Sequence, residues 1–371
     1  MEDSFYQCCK TNQLDKIEQF IPSTDVTLRV SRGFEIACES GSLDVVKFLL
    51  EKKLIPGNKA FPYACESGHL DAAKLILATE EVDINILDSY AFRYACSNGH
   101  LEVVQFLLSL NDSSFKVPNN ELFESEINVN VLDNFAFVRA CKNGHLDIVK
   151  LLASIRGKYE IDISGNEYFA FRKACEFGNL DVVKFLLQEY DIDVHLKNEY
   201  AFRHACANGH LELAKWLVEN YKIDINAVSD YAFRYACVKG NLEIVKFLLS
   251  LSTNSLVEEN NELVENISFE KIDIRMMDNY AFRWACKEHH ADVADYLADL
   301  LNQKQYEFYY REKGQYYIVL PLDYETNKGE DKFVMFDDFK VRCRNRKYLK
   351  NCLEAYKIHY SKFAYKSARK I

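Results

Sequence analysis

Apolar residues recur along this chain at helical spacing in short blocks, and the blocks themselves recur. In Tyr90-Ala91-Phe92-Arg93-Tyr94-Ala95-Cys96, Phe92, Ala95 and Cys96 fall at i, i+3 and i+4 and mark the buried face of a first helix. In the text that follows, Leu101, Val104 and Leu108 mark the same for a second helix. Between them Asn98-Gly99-His100 reads as a helix stop and restart, with Gly99 suited to a left-handed C-cap. One such hairpin cannot cover its own apolar face, so the pattern predicts stacked copies sharing a core.

One cysteine stands near the middle of each copy, at Cys9, Cys38, Cys65, Cys96, Cys141, Cys175, Cys206, Cys237 and Cys286, with separations of 29, 27, 31, 45, 34, 31, 31 and 49 residues. A unit of roughly 31 residues is thus repeated about nine times, with two long insertions over 111–128 and 252–271. A longer period of 141 residues relates Cys65, Cys96 and Asn119-Asn120-Glu121-Leu122 to Cys206, Cys237 and Asn260-Asn261-Glu262-Leu263, the mark of a duplicated four-repeat block. The insertions are candidate partner-contacting arms; the cheapness of lengthening a surface loop explains them equally well.

The pattern changes after Leu300. Tyr316–Leu320 and Lys332–Phe336 alternate like strands, with a polar stretch from Glu325 to Glu330 that suits a hairpin turn between them. Asp337-Asp338 then reads as the cap of a helix running to about Ser367, with Leu349, Leu353, Tyr356, Tyr360 and Phe363 on one stripe expected to pack near Tyr296 and Leu300. The predicted fold class is mainly α: a solenoid over 1–300 with capping units at 1–30 and 280–300, followed by a small α+β appendage over 301–371.

Composition narrows the classes. At 371 residues, 49% hydrophobic and 27% charged, the chain is neither disordered nor fibrous, and 13 Gly with 5 Pro argue against the many tight turns of a sandwich or barrel. Every apolar stretch carries a charge, so no transmembrane segment is expected, and the acidic start Met1-Glu2-Asp3-Ser4 lacks the form of a secretory signal. A cytoplasmic location, or a host cytoplasm reached by a non-classical route, and reduced thiols are expected for its 12 cysteines. The net charge of −10 is unevenly divided: 339–371 carries 11 Lys/Arg against the single acid Glu354, leaving the body at −20.

The Asn-Gly-His-Leu-Glu text at Asn208–Glu212, following the helix opening Tyr200-Ala201-Phe202-Arg203, resembles the ankyrin-repeat family over roughly residues 1 to 300. The helix opening Tyr-Ala-Phe-Arg, again at Tyr231–Arg234 and Tyr280–Arg283, replaces the family's Thr-Pro-Leu-His, a variant similar to the expanded arrays of giant viruses and intracellular bacteria. The resemblance implies an α-solenoid whose concave surface holds a protein partner. The shortening of the unit falls in the Asp-Ile-Asn loops, such as Asp83-Ile84-Asn85, which implies truncated β-hairpin fingers; Asn12 and His289 stand where the turn glycine is expected in the first and last copies.

Three sets of residues are singled out. Two before the cysteine, Tyr63, Tyr94, Arg139, Lys173, His204, Tyr235 and Trp284 vary while their neighbours repeat, and helical geometry turns them away from the buried stripe. They are the candidate partner-binding row, since Tyr, Trp and Arg dominate interface hot spots; a solvated face in a Tyr-rich chain is the plainer reading. Three before it, Arg93, Arg172, Arg203, Arg234 and Arg283 form a ladder interrupted by Val138, read as mainly structural through bridges to a carboxylate and loop carbonyls of an adjacent unit. The third set is the basic tail, Lys340, Arg342, Arg344, Arg346, Lys347 and Lys350, facing either the acidic body or an external anionic partner.

Stacked cysteines about 10 Å apart are too distant for disulfides or shared metal, so they read as small core residues, and no metal site or cofactor is expected. The recurring His69, His100, His145 and His210 read as structural for the same reason of regularity. No phosphate loop or hydrolase motif is present. The reading is a monomeric, non-enzymatic protein-binding scaffold, and the repeat style implies a viral or bacterial agent acting on host proteins. The alternatives are an effector enzyme or adaptor whose activity lies in 301–371, and nucleic-acid or anionic-membrane binding through the tail, the former disfavoured by the −20 body.

Overall fold

The computed structural model describes residues 2–20, 26–111, 126–253, 272–274 and 276–303 and four strands beyond them, with side chains over 4–20, 30–111, 126–252, 272–274 and 280–300. The chain divides into two compact units, Met1–Asp193 and Val194–Ile371.

The first unit holds six helical hairpins: α1 (Glu2–Lys10) with α2 (Leu14–Phe20), α3 (Val26–Glu39) with α4 (Leu43–Glu51), α5 (Gly57–Glu66) with α6 (Leu70–Thr79), α7 (Ile86–Asn98) with α8 (Leu101–Ser109), α9 (Val131–Asn143) with α10 (Leu146–Ser154), and, after the short α11 (Arg156–Tyr159), α12 (Gly165–Glu176) with α13 (Leu180–Glu189). Each first helix packs on the first helix of the next hairpin and each second helix on the next second helix, so two parallel layers share one core. The second unit continues in the same manner with α14 (Leu196–Ala207) and α15 (Leu211–Asn220), α16 (Ala227–Val238) and α17 (Leu242–Thr253), and α18 (Met276–Lys287) and α19 (Ala291–Gln303). The expected fold class, an α-solenoid of about nine helix-turn-helix repeats, is what these hairpins form.

The core is a repeated choice of residues. Four before each cysteine, Phe34, Phe61, Phe92, Phe137, Phe171, Phe202, Phe233 and Phe282 are fully buried, and Cys9, Cys38, Cys65, Cys96, Cys141, Cys175, Cys206 and Cys237 sit beside them out of solvent. The second helices differ from expectation by about one position: in α8 the buried residues are Val103, Val104, Phe106 and Leu107, while Leu101 and Leu108 are half-buried. The stripe widens because α8 packs on α7 and on both neighbouring second helices, α6 and α10, and no single i, i+3, i+7 seam can serve three neighbours.

After α19 come β1 (Phe308–Glu312), β2 (Gln315–Val319), β3 (Lys332–Phe336) and β4 (Phe339–Cys343), in the sheet order β1-β2-β4-β3. Two expectations are corrected here. The hairpin partner of β2 is β1, not β3, and β2 runs parallel to β4. Phe339 to Cys343, expected to open a helix, is a strand paired antiparallel to β3 with Phe336 opposite Phe339. Period-two alternation in Phe339-Lys340-Val341-Arg342-Cys343 favours the strand over a helix.

Candidate functional site

The polar face of the first helices is organised by an unusual backbone feature. Five of these helices begin with three consecutive residues in the left-handed region: Leu87-Asp88-Ser89, Leu132-Asp133-Asn134, Asn166-Glu167-Tyr168, Lys197-Asn198-Glu199 and Val228-Ser229-Asp230. None is glycine, and L-residues resist this conformation by ~1–2 kcal/mol each. Each turn is closed by a backbone bond in which the third residue's N–H reaches the carbonyl four residues back, as Ser89 N to Asn85 O at 2.9 Å and Asp230 N to Asn226 O at 2.9 Å.

The arginine ladder clamps these turns. Arg93 Nε donates to Asp88 O at 2.6 Å and its Nη2 to Leu87 O at 2.8 Å. The same fork recurs from Arg172 to Glu167 O and Asn166 O, from Arg203 to Asn198 O and Lys197 O, and from Arg234 to Ser229 O and Val228 O. The acceptors are carbonyls of the arginine's own repeat, not a carboxylate or carbonyls of an adjacent unit as the sequence suggested. An aromatic ring of the following repeat covers the guanidinium, with Phe135 4.9 Å from Arg93 Cζ, Tyr231 4.7 Å from Arg203 Cζ and Tyr280 5.2 Å from Arg234 Cζ. Burial draws the Arg203 pKa below its ordinary value. The loop facing Arg283 lies outside the described side chains.

The residues two before the cysteines, Tyr63, Tyr94, Arg139, Lys173, His204, Tyr235 and Trp284, are all half-buried and face away from the Phe/Cys core. They are not isolated. In the first unit Tyr94 stacks on Tyr90 at 4.1 Å and meets Phe135 at 6.0 Å, and Arg139 Cζ lies 4.9 Å from the same Phe135 ring. In the second, His204 stacks on Tyr200 at 3.9 Å and approaches Tyr231 at 5.6 Å, Tyr231 stacks on Tyr235 at 4.1 Å, and Trp284 lies 5.7 Å from Tyr280 with Lys287 Nζ 4.0 Å above it. The partners of this row, six before each cysteine, were missed by the sequence reading. Their signal was present: the position is aromatic in the six copies from Cys96 to Cys286, as Tyr90, Phe135, Phe169, Tyr200, Tyr231 and Tyr280, at i, i+4 from the row. Tyr90 Oη donates to Glu66 Oε2 at 2.8 Å, and burial with that bond raises its pKa; burial and a bond to Glu35 raise that of Tyr63.

At the other end of each first helix, the residue opening the second helix staples it to the preceding repeat. His145 Nε2 lies 2.9 Å from Ser97 O, Asn179 Nδ2 donates to Cys141 O and Lys142 O, and Asn241 Nδ2 donates to Ala207 O. The staple presses against the preceding turn: Gly99 has φ +86°, and a Cβ there would stand 2.6 Å from the His145 ring, so glycine is required on both counts. A model of ankyrin repeats (3 copies) matches five overlapping segments, 5–88, 34–120, 61–164, 93–198 and 171–258. The chain belongs to the ankyrin-repeat family. A comparison with curated proteins gave no match.

In this ankyrin array the turn position takes a left-handed backbone in both atypical end copies too, at Asn12 (φ +55°) and His289 (φ +63°). The shortened loops carry Asx turns, with Asp83 Oδ1 accepting Asn85 N and Asp224 Oδ1 accepting Asn226 N, and no strand occurs among their described residues. The insertions mostly lie outside the described residues, but their necks are closed alike: Asn111 Oδ1 accepts Ile127 N at 2.7 Å, and Ser252 Oγ, 141 positions on, accepts Ile272 N at 2.9 Å. Of the basic tail, Lys340 and Arg342 are on β4; Arg344, Arg346, Lys347 and Lys350, with the stripe Tyr356, Tyr360 and Phe363, lie outside the described residues.

Among the described residues no His, Cys, Asp and Glu come together as a metal site, and no helix is long and apolar enough to cross a membrane. The described cysteines are free thiols. Burial raises the pKa values of the column thiols, with Cys9 pushed up to about 12 and Cys96, Cys141 and Cys175 well above their ordinary value. In native protein, iodoacetamide should therefore label the half-buried Cys286 ahead of Cys96, Cys141 and Cys175, which peptide mapping by mass spectrometry reads directly. Equal labelling of all four would place the Phe/Cys column outside the core.

Proposed function

We propose that this chain is a non-enzymatic scaffold that holds a protein partner on the exposed face of its first helices, through Tyr63, Tyr94, Arg139, Lys173, His204, Tyr235 and Trp284. Ankyrin repeats generally mediate protein–protein interaction. The observation that carries the reading is the stacking of this row: Tyr94, His204, Tyr235 and Trp284 each rest on a second ring four residues earlier, so they present a broad, preorganised surface. Such preorganisation lowers the entropy cost of binding, and rigid Tyr, Trp and Arg anchors are the residues that dominate interfaces. The similarity of the Tyr-Ala-Phe-Arg repeat style to arrays of giant viruses and intracellular bacteria supports a host protein as the partner.

The test is a partner identified by capture, then titrated in purified form against wild type and the Tyr235→Ala/Trp284→Ala variant. Loss of about 2 kcal/mol, near thirtyfold in Kd, with unchanged helical circular dichroism is expected. Unchanged affinity, or unfolding of the variant, would remove these residues from the binding face.

A further inference from the structure

One copy of the repeat breaks the arginine ladder, and the break coincides with a cavity. Val138 stands three before Cys141, where Arg93, Arg172, Arg203 and Arg234 supply a guanidinium in other copies. The left-handed turn is nonetheless built, with Leu132, Asp133 and Asn134 at φ +53°, +53° and +60° and Asn134 N bonded to Asn130 O at 3.1 Å. The two carbonyls that the ladder would clamp, those of Leu132 and Asp133, therefore stand in the backbone conformation that accepts the fork elsewhere. Phe169, the aromatic of the following repeat, holds the position from which Phe135, Tyr231 and Tyr280 cover the guanidinium in three of the other seats. A cavity of ≈680 Å³ opens between these groups, lined by Leu132, Asp133, Val138, Asp162 and Phe169. It is also lined by Asn134, whose Oδ1 is buried without a hydrogen-bond partner.

From this geometry we propose that the Val138 cavity is a receptor for an arginine side chain of the protein partner, which completes in trans the seat that Arg93, Arg172, Arg203 and Arg234 fill in cis. The inference rests on the protein-binding reading above and adds the partner's chemistry to it. Acceptors outnumber what a lysine ammonium could use in one plane: two backbone carbonyls set for a fork, the Asn134 oxygen, the Asp133 carboxylate, and Asp162, whose Oδ1 already accepts Ser164 N and Oγ. Three cations also line the cavity, each with a contact of its own: Arg139 Cζ lies 4.9 Å from the Phe135 ring, itself part of the lining, Lys142 Nζ lies 4.4 Å from the Phe177 ring, and Lys173 Nζ pairs with Glu176 at 2.8 Å and lies 5.4 Å from the Phe169 ring. A net charge of −10 on the whole chain favours the approach of a basic segment.

The experiment needs no partner, so its failure is separable from failure of the scaffold reading. The full chain is titrated calorimetrically with N-acetyl-arginine methylamide, and with the lysine and citrulline analogues as controls for charge and shape. The arginine compound is expected to bind at least about tenfold more tightly than either control. Val138→Arg should fill the seat from within, abolishing that binding and raising the urea midpoint. Should Val138→Arg fail to fold, Phe169→Leu serves instead, keeping the fold while weakening arginine binding severalfold through loss of the covering ring. Equal binding of all three analogues, or arginine binding unchanged in both variants, overturns the proposal. Displacement of the arginine compound by inorganic phosphate would overturn it too, since the lining would then be an anion site.

Discussion

Replacing Arg234 with alanine is expected to destabilise the second unit by about 3 kcal/mol, the worth of two charge-assisted hydrogen bonds whose carbonyl partners lose their donor. Arg234 is buried, its Nε and Nη2 reach Ser229 O and Val228 O at 2.7 and 3.2 Å, and the Tyr280 ring closes over it. The turn it holds contains three non-glycine residues in the left-handed region, so the fork offsets a conformational cost as well as satisfying acceptors. Fold should survive, because the Val138 copy shows the same turn closing on its backbone bond alone. Arg234→Lys should recover little, since an ammonium cannot span two carbonyls in the plane of a stacked ring. Urea denaturation followed by circular dichroism measures both variants, and a lysine variant as stable as wild type would show that charge, not the fork, matters here.

What could be read in the sequence, and what could not, divides along the same physical line. The hairpins, the Phe/Cys column and the turn glycine were legible because each expresses a periodic demand: Phe92, Ala95 and Cys96 share a face by helical geometry, and Gly99 answers a steric one. The second-helix stripe was displaced by a position because its neighbours on three sides are set by stacking, which a single helix does not encode. The left-handed turns were illegible, since Leu87 and Ser89 have no intrinsic preference for that conformation and the turn is held by the Ser89 N to Asn85 O bond and the Arg93 fork, which no periodic pattern expresses. Only the fixed offset of Arg93 and its equivalents hinted at it, and the sequence assigned the wrong acceptors. The row Tyr63 to Trp284 was found by its variation, yet its stacking partners went unnoticed because they repeat faithfully and so looked structural. Beyond α19, acidic residues before a basic run read as a helix cap, whereas Phe339 to Cys343 form a strand paired antiparallel to β3.

The largest single effect is expected in the column that this regularity made visible. Phe202 and Cys206 lie one helical turn apart on α14, both fully buried, and together fill the space between the first helices and the second. Phe202→Ala should cost about 4 kcal/mol, because a stacked array cannot collapse around the lost ring without shifting the next repeat. Cys206→Ala removes one small polarisable atom and should cost only about 1 kcal/mol. The ratio distinguishes two accounts of the cysteines. If they are chosen for volume, alanine is a mild replacement at Cys206, and serine is worse because it buries a hydroxyl in apolar surroundings. If the thiols had a chemical role, the stability order would carry no such regularity and Cys206→Ser would be the better tolerated substitute. Urea midpoints for the three variants decide it: Phe202→Ala far below wild type, Cys206→Ser intermediate and Cys206→Ala nearest is the expected order, and an alanine variant as damaged as the phenylalanine one would end the packing account.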